Sequence, residues 1–293
     1  MRMLKRISRS RLKRNKYATP KEAAKAIKNL EIQGANDVAI YGAYSLLGSR
    51  NLKADIRLLT EARPTEPFLR NALRYISKTK GPLEDKVEYI RKYFSEAKEK
   101  IAEYGVRKIK HRNHVFTHCH SSTVTNLLIK AKSRRITVHN TETRPFFQGR
   151  ITAKELAKEG IKVEHYIDSA ARLALKKSDI ALFGCDAITS DGFIINKIGS
   201  EMFAEVASSI GVPIFICTLS WKYDARTMFG FDEKIEQRFK SEVWKRPPKN
   251  VKVHNAVFER IHPRLITGII SEFGILTVNG FLEEVRQEYP WMI

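Results

Sequence analysis

The stretch HVFTHCHSSTVTNLLIKAKSRRITVHN, residues 114–140, decides the fold class of this chain. It begins with a β-rich run at His114–His118, continues with helix-forming residues at Ser122–Lys132, and ends with a second β-rich run at Arg135–Asn140. A strand, a helix and a strand at this spacing are typical of a right-handed crossover between two parallel strands. The stretch therefore predicts a parallel sheet that is covered by helices.

The same alternation continues toward the C-terminus and predicts further strands and helices. The turn SDG at residues 190–192 lies between short apolar runs, so it predicts a small hairpin that projects from the sheet. We therefore expect a Rossmann-like, doubly wound α/β domain over residues 112–293, which carries the catalytic site. The further predicted elements are the strands Lys162–Asp168, Ile180–Phe183, Val212–Thr218 and Ile266–Ser271, and the helices Thr152–Gly160, Ala170–Lys177 and Ser200–Ile210.

The part of the chain before this domain has helical rather than β-rich patterns. The sequence TPKE at residues 19–22 combines a capping box with a proline in the first turn, which predicts a helix start. A second, longer helix is predicted to begin near Pro82 and to stop at Gly105, with a loop and a further helix between the two. We expect a basic N-terminal arm over residues 1–18 and a helical N-terminal domain over residues 19–111.

The charge of the chain is strongly positive. It has 53 Lys and Arg against 32 Asp and Glu, a formal net charge of +21, and the first 16 residues contain eight Lys or Arg and no acid. Such an excess attracts phosphate groups, either in nucleic acid or in small phosphorylated substrates. Two interpretations of the arm stay open: it contacts RNA, or it is a solvated tail that has no partner.

Composition excludes several classes of protein. With 43% hydrophobic residues the chain is globular rather than disordered or collagenous. Its three cysteines have no CxxC spacing, which excludes a disulfide framework and a cysteine-built zinc site and indicates a reducing compartment. No apolar run has the length of a membrane span, and charges stand where a signal peptide needs its apolar segment. We therefore expect a soluble, cytoplasmic protein that makes no membrane contact.

Candidate catalytic residues follow the predicted strands, because ligands of open α/β sheets bind beyond the carboxyl ends of the strands. Cys119 lies between a strand and a helix, where a helix N-terminus is expected to lower the pKa of a thiol. Asp186 follows the strand sequence IALFG, where partial burial is expected to raise the pKa of a carboxyl group that acts as an acid. The alternatives are that Cys119 is a buried small apolar residue and that Asp186 caps a loop. Asp168 is interpreted as a helix N-cap.

Hydroxyl and basic residues at the same strand ends are candidates for anion binding, because hydroxyls and N–H groups at a helix start form an anion site. The alternatives are ordinary N-capping and surface charge. His118 and His120 have no carboxylate near them in sequence, so we predict no metal. The chain contains neither GxGxxG nor GK[ST], so dinucleotide and P-loop nucleotide binding are disfavoured and no cofactor is predicted. The anion-binding candidates are Arg63, Ser121, Ser122, Thr123, Arg144, Arg150 and Lys197.

Nine short motifs together resemble one family, the sugar-phosphate isomerase relatives of the initiation factor 2B α, β and δ subunits. The likeness covers most of the chain beyond the basic arm and is greatest to the archaeal ribose-1,5-bisphosphate isomerases. Methylthioribose-1-phosphate isomerases are more distant members of the same superfamily. The motifs are EIQGAN (31–36), ARPT (62–65), NALRY (71–75), THCHSS (117–122), TETRP (141–145), QGRITAKEL (148–156), GCDAITSDG (184–192), NKIG (196–199) and GIL (274–276).

This resemblance implies a function and a set of site residues. It implies acid/base isomerisation of ribose 1,5-bisphosphate to ribulose 1,5-bisphosphate in nucleotide salvage, with Cys119 and Asp186 as the catalytic pair. It further implies a homo-oligomer, either a dimer or a trimer of dimers, and a possible AMP activator. The alternatives are a noncatalytic regulatory subunit and a methylthioribose-1-phosphate isomerase. The implied substrate contacts are Gln33, Gly34, Ala35, Arg63, Ser121, Ser122, Arg144, Gln148, Asn196, Lys197 and Lys222.

Three positions depart from the pattern of this family. Gln33 stands where members usually have a basic residue, and Cys185 replaces the alanine that usually precedes the catalytic aspartate. The Gln33 change removes one cation from the implied phosphate contacts, whereas the Cys185 change exchanges one small residue for another. The E-R-G pattern typical of the isomerases is EFG at residues 272–274, which is closer to the regulatory subunits. Both Cys119 and Asp186 are retained, which favours an enzyme over a regulatory subunit.

Overall fold

The computed structural model describes residues 19–29, 31–32, 34–231 and 237–293. The predicted basic arm at residues 1–18 and the candidate site residue Gln33 lie outside these ranges. The mixed α/β class expected from the sequence is confirmed, because a helical segment precedes an alternation of strands and helices around a parallel sheet.

The N-terminal segment is helical, and its first helix begins as predicted. Thr19 Oγ1 accepts the backbone N–H of Glu22 at 3.3 Å, and the Glu22 carboxylate accepts the backbone N–H of Thr19 at 3.0 Å, which completes the capping box. No helix of the described residues is both long enough and apolar enough to span a membrane. The helices of this segment are α1 Pro20–Lys28, α2 Ala35–Ser45, α3 Leu52–Ala62, α4 Pro67–Lys78 and α5 Leu83–Val106.

The segment between α1 and α5 is more helical than predicted. The sequence pattern indicates one loop and one helix there, whereas the described residues form three helices, α2, α3 and α4. The start of α3 has a local signal, because the Asn51 side chain accepts the backbone N–H of Ala54 at 3.2 Å. Helix α2 buries Ala35, Val38, Ala39 and Ala43 against its neighbours, so packing rather than a clear amphipathic period stabilises it.

The helix ends within one residue of the predicted stop, but Gly105 does not supply that stop. Helix α5 continues through Gly105 to Val106, and Gly105 is buried. A Cβ atom at this position would lie only 2.0 Å from Leu127 Cδ1 in the helix that follows the first strand. Glycine is therefore required because two helices approach closely, not because the backbone turns.

The main sheet of the described residues has seven strands in the order β11-β10-β7-β4-β1-β2-β3. All of its strand pairs are parallel except β10 with β11. The six strands predicted for a parallel sheet are confirmed, with ends that shift by one or two residues. The strands are β1 His114–Thr117, β2 Thr137–Thr141, β3 Lys162–Tyr166, β4 Ile180–Phe183, β7 Ile214–Cys217, β10 Gly268–Ser271 and β11 Gly274–Leu276.

The predicted hairpin is confirmed, but it belongs to a second sheet. Within the described residues this sheet has four strands in the order β8-β5-β6-β9. The two outer strands come from distant parts of the chain, and β8 is only two residues long, so neither has a recognisable sequence pattern. The strands are β5 Ala187–Thr189, β6 Ile194–Lys197, β8 Tyr223–Asp224 and β9 Phe258–Ile261, and the helices of this part are α6 Ser122–Lys130, α7 Gly149–Lys158, α8 Ala171–Leu175, α9 Ser200–Ser209 and α10 Val278–Glu288.

The strand order positions the site. From β1 the chain adds β2 and β3 on one side, and it then returns to place β4 on the other side of β1. Such a reversal opens a crevice beyond the carboxyl ends of the two strands. Cys119 follows the end of β1 at Thr117, and Asp186 follows the end of β4 at Phe183. Both candidate catalytic residues therefore lie at this crevice.

Candidate active site

The backbone at Cys119 is held in an unusual conformation. Its φ is +64°, in the left-handed region that residues other than glycine adopt rarely. Two threonines fix the peptide groups of this residue. The N–H of Cys119 donates to Thr143 Oγ1 at 3.0 Å, and the Thr152 hydroxyl donates to the Cys119 carbonyl at 2.9 Å. Such strained residues persist where surrounding contacts determine their conformation, and they concentrate at functional sites.

Asp168, which follows β3, supports the Cys119 loop through the loop after β2. Its two carboxylate oxygens accept the backbone N–H groups of Thr143 and Arg144, each at 2.7 Å. The N-cap role expected from the sequence is wrong, because the carboxylate points to this loop and not to the turn that follows it. Asp168 thus fixes Thr143, and Thr143 in turn holds Cys119.

The pKa of Cys119 moves in the opposite direction to the prediction. Burial raises the pKa of the thiol to about 12, and the positive charge of Lys197 only partly opposes this rise. The negative charges of Asp186 and Asp168 add to it. Desolvation therefore outweighs any stabilisation of the thiolate by the start of α6, so the thiol form is favoured near neutral pH.

Asp186 lies between β4 and the hairpin, where its backbone N–H donates to the Ile195 carbonyl at 2.9 Å. Burial raises the pKa of its carboxyl group, and three cations oppose the rise, as is expected of a carboxyl group inside a cationic site. The upward shift predicted from partial burial is confirmed. The cations, in order of effect, are Lys222, Arg63 and Lys197.

The loops that carry Cys119 and Asp186 pack against each other. A Cβ atom built on Gly184 would lie 2.8 Å from Ser121 Cβ, so the backbone after β4 touches the start of α6. Because the charge of Asp186 also raises the pKa of Cys119, the two groups are electrostatic neighbours as well. The structure thus brings the loops of the two candidate catalytic residues together, although the residues are 67 positions apart in the sequence.

The cations of the site are buried, which is uncommon for such residues. Lys197 is 5% exposed and Lys222 is 7% exposed. The Lys222 ammonium donates to the Cys185 carbonyl, next to Asp186. The Arg63 side chain is 15% exposed, and its Nη1 has no hydrogen-bond partner among the described residues. Three positive charges therefore converge on Asp186.

Several predicted substrate contacts are engaged within the protein. Ser121 caps α6, where its side chain accepts a backbone N–H at 3.4 Å. Ser122 Oγ accepts Asn36 Nδ2 at 3.3 Å, which joins the GAN motif to the α/β part. Asn196 Nδ2 donates to Ser200 Oγ at 2.9 Å. These contacts position the loops around the acid/base pair.

The other predicted contacts differ in position and in exposure. Gly34 precedes α2 with a φ of +91°, a backbone conformation that suits glycine, and Ala35 begins the helix. Arg144 is exposed, and its guanidinium carbon lies 5.1 Å from the centre of the Phe147 ring. Gln148 Oε1 is buried and has no hydrogen-bond partner among the described residues.

The two histidines beside Cys119 do not share a strand face, because β1 ends at Thr117. His118 Nδ1 lies 2.6 Å from Thr141 Oγ1, and its Nε2 lies 2.9 Å from the Ile198 carbonyl. His120 Nδ1 lies 3.1 Å from Thr152 Oγ1. Across the part of the chain that the structure describes, no group of three or more His, Cys, Asp or Glu side chains is arranged to hold a metal ion.

The sequence analysis missed one ionisable residue of the site, Glu66. It is 3% exposed, and burial raises the pKa of its carboxyl group to about 7, with Arg63 as the main opposing charge. The charge of Asp186 adds to this rise. A local signal was present, because Glu66 directly follows the ARPT motif and precedes the proline that begins α4.

Comparison with known proteins identifies several relatives. Residues 16–278 match the model of the initiation factor 2 subunit family. The chain is 35% identical to the ribose 1,5-bisphosphate isomerase of Thermococcus kodakarensis, over 93% of this chain and 95% of that protein. It is 33% identical to the methylthioribose-1-phosphate isomerase of Thermosipho melanesiensis, over 88% of this chain and 86% of that protein.

Solved structures of related proteins have a similar fold. The translation initiation factor eIF-2B of Pyrococcus horikoshii superimposes with a TM-score of 0.77 at 25% identity, covering 88% of this chain and 96% of that one. The 5-methylthioribose 1-phosphate isomerase of the same organism superimposes with a TM-score of 0.73 at 23% identity, over 92% of this chain and 88% of that one, which supports the fold. The fold, the motifs and the extent of these matches show that the chain belongs to the initiation factor 2 subunit family.

Proposed function

We propose that this chain is a sugar-phosphate isomerase that converts ribose 1,5-bisphosphate to ribulose 1,5-bisphosphate. The observation that carries the proposal is a thiol and a carboxyl group, Cys119 and Asp186, on two loops that touch each other, with three cations that act on the carboxyl group. Isomerisation of a sugar phosphate needs one acid and one base, and the cations suit a substrate that carries two phosphates. The likeness to ribose 1,5-bisphosphate isomerases supports the same reaction.

In the proposed mechanism Cys119 and Asp186 transfer protons at two atoms of the sugar, C2 and the ring oxygen. One group removes the proton from C2 as the other protonates the ring oxygen, so the bond between C1 and the ring oxygen breaks and a C1–C2 double bond forms. The proton taken from C2 is then delivered to C1. The C2 hydroxyl becomes the ketone and gives its proton to the group that protonated the ring oxygen, so both groups return to their starting forms. The reaction needs no oxidant or reductant, because hydrogen only changes position. Cys119 and Asp186 are proposed to share these two roles.

The buried cations have a binding role in this proposal. Lys197 and Lys222 hold phosphate oxygens by charge-assisted hydrogen bonds and so fix the sugar against the acid/base pair. Their charges also limit the rise in the pKa of Asp186 that burial causes. The same two lysines thus bind the substrate and limit the pKa of the carboxyl group that acts on it.

The substrate is tested by comparing turnover of ribose 1,5-bisphosphate with turnover of methylthioribose 1-phosphate. We expect kcat/KM to be about 100-fold higher for the bisphosphate, since a lost charge-assisted contact costs about 1.5–3 kcal/mol. A preference for the methylthio sugar would instead assign the sibling activity. If neither sugar is turned over while a nucleotide or a protein partner binds tightly, the chain is a regulatory subunit and the proposal fails.

We further propose the arrangement around this activity. The helical domain at residues 19–111 and the α/β domain at residues 112–293 form one cytoplasmic subunit of a homo-oligomer, either a dimer or a trimer of dimers, and AMP activates it. A monomer in light scattering at micromolar concentration would contradict the oligomer, and unchanged turnover with added AMP would contradict activation.

For the arm, deletion of residues 1–16 should remove salt-sensitive RNA binding and leave turnover intact.

A further inference from the structure

Two neighbouring side chains of the site each have a buried polar atom without a hydrogen-bond partner among the described residues. These atoms are Arg63 Nη1 and Glu66 Oε1. The same two side chains approach each other through Arg63 Nε and Glu66 Oε2, at 3.9 Å. Buried polar atoms in proteins are nearly always hydrogen-bonded, because leaving one unpaired costs about 1–3 kcal/mol. An unpaired donor and an unpaired acceptor on two adjacent side chains therefore indicate a ligand group that binds to both.

Both side chains belong to the acid/base site. Arg63 is one of the three cations that lower the pKa of Asp186, and the charge of Asp186 in turn raises the pKa of Glu66. Lys222 donates a hydrogen bond to the Cys185 carbonyl, beside Asp186. Its positive charge also opposes the rise in the pKa of Glu66. A group that binds to Arg63 and Glu66 therefore lies within electrostatic range of Asp186.

The chemistry of the two atoms selects the kind of group. A guanidinium nitrogen only donates hydrogen bonds, and an ionised carboxylate oxygen only accepts them. A phosphate dianion offers acceptors alone, so it would satisfy Arg63 and could pair with protonated Glu66, but it would face the ionised form of Glu66 with like charge. A hydroxyl group both accepts and donates, so it satisfies both atoms at once.

We propose that Arg63 and Glu66 together bind a hydroxyl group of the sugar, so that Arg63 recognises the ring rather than a phosphate. This assignment rests on the proposed isomerase function and narrows it, because it separates a sugar-binding pair from the phosphate-binding lysines. Burial raises the pKa of Glu66 to about 7, so both its neutral and its ionised forms are populated near neutral pH. A hydroxyl can hydrogen-bond to either form, because it accepts from a protonated carboxyl group and donates to an ionised one.

The test combines a protein change with a ligand change. Binding of ribose 1,5-bisphosphate and of its 2-deoxy and 3-deoxy analogues is measured calorimetrically in a Cys119→Ser background, which slows conversion, with and without Glu66→Ala. We expect Glu66→Ala to weaken binding of the full substrate by about 30-fold, in line with a hydrogen bond to a charged group. For the analogue that lacks the recognised hydroxyl, the same substitution should change the affinity by less than about threefold, because that hydrogen bond is already absent.

Control variants separate the hydrogen bond of Glu66 from effects on folding and from the general loss of a negative charge. Glu66→Leu removes the hydrogen bond but fills the space, so it carries the same expectation if Glu66→Ala does not fold. Glu61→Ala, at an exposed carboxylate on α3, should leave all three affinities unchanged. Equal loss for all three ligands, or tighter binding of all three, would overturn the proposal. Wild-type turnover of ribose 1,5-bisphosphate is measured in the same series, so a failure of the isomerase function is recognised separately.

Discussion

Cys119→Ser and Asp186→Asn are each expected to lower kcat for ribose 1,5-bisphosphate by at least about 100-fold, the usual contribution of a positioned acid or base. Serine keeps the approximate size of cysteine, but its hydroxyl is a far poorer proton donor and base. Asparagine keeps the shape of aspartate and cannot ionise. Substrate affinity should change by less than about threefold, because the buried lysines that we propose to hold the phosphates are untouched.

The double variant extends this test. Residues that act as one unit are not additive, so Cys119→Ser combined with Asp186→Asn should be little slower than either single variant. Two matched controls come from the same residue types: Cys217→Ala in β7 and Asp191→Asn in the hairpin turn should both retain turnover within about twofold of wild type. Near-normal turnover of either site variant would remove that residue from the mechanism.

Lys197→Met should have the second largest effect, a fall in kcat/KM of about 100-fold, because a buried charge-assisted phosphate contact is lost. It should also change the pH dependence. Burial raises the pKa of both Cys119 and Asp186, and Lys197 opposes the rise in each. Removing its charge therefore raises both pKa values further. In a profile of kcat/KM against pH, the limbs that report these two groups should move to higher pH.

Two further variants control for size and for loss of charge elsewhere. Lys197→Arg keeps a positive charge, so its pH limbs should stay near their wild-type positions even if the larger side chain lowers the rate. Lys158→Met removes an exposed charge from α7 and should leave both the rate and the limbs unchanged. A Lys197→Met enzyme that is slow but has unshifted limbs would show that Lys197 binds phosphate without acting on the acid/base pair.

Much of the fold follows from patterns that are local in the sequence. The alternation of apolar runs and helical segments after residue 112 predicts the parallel strands of the main sheet, and the capping box at Thr19 predicts the start of α1. The same patterns place Cys119 and Asp186 after β1 and β4. These features are predictable because strand and helix periods, caps and turns depend on residues within a few positions of one another.

The pKa values of the site residues are decided only by the tertiary structure. Helix start and residue type suggest a lowered pKa for Cys119, whereas burial by residues far apart in the chain raises it to about 12. The position of Glu66 after the ARPT motif marks it only weakly, and it becomes an ionisable site residue because the fold buries it beside Arg63 and near Asp186. Desolvation and charge–charge interactions depend on distances in space, to which chain elements remote in sequence contribute, so no local pattern encodes them. The sequence by itself determined the strand–helix alternation and the residues at the strand ends; the folded structure decided which charges they meet.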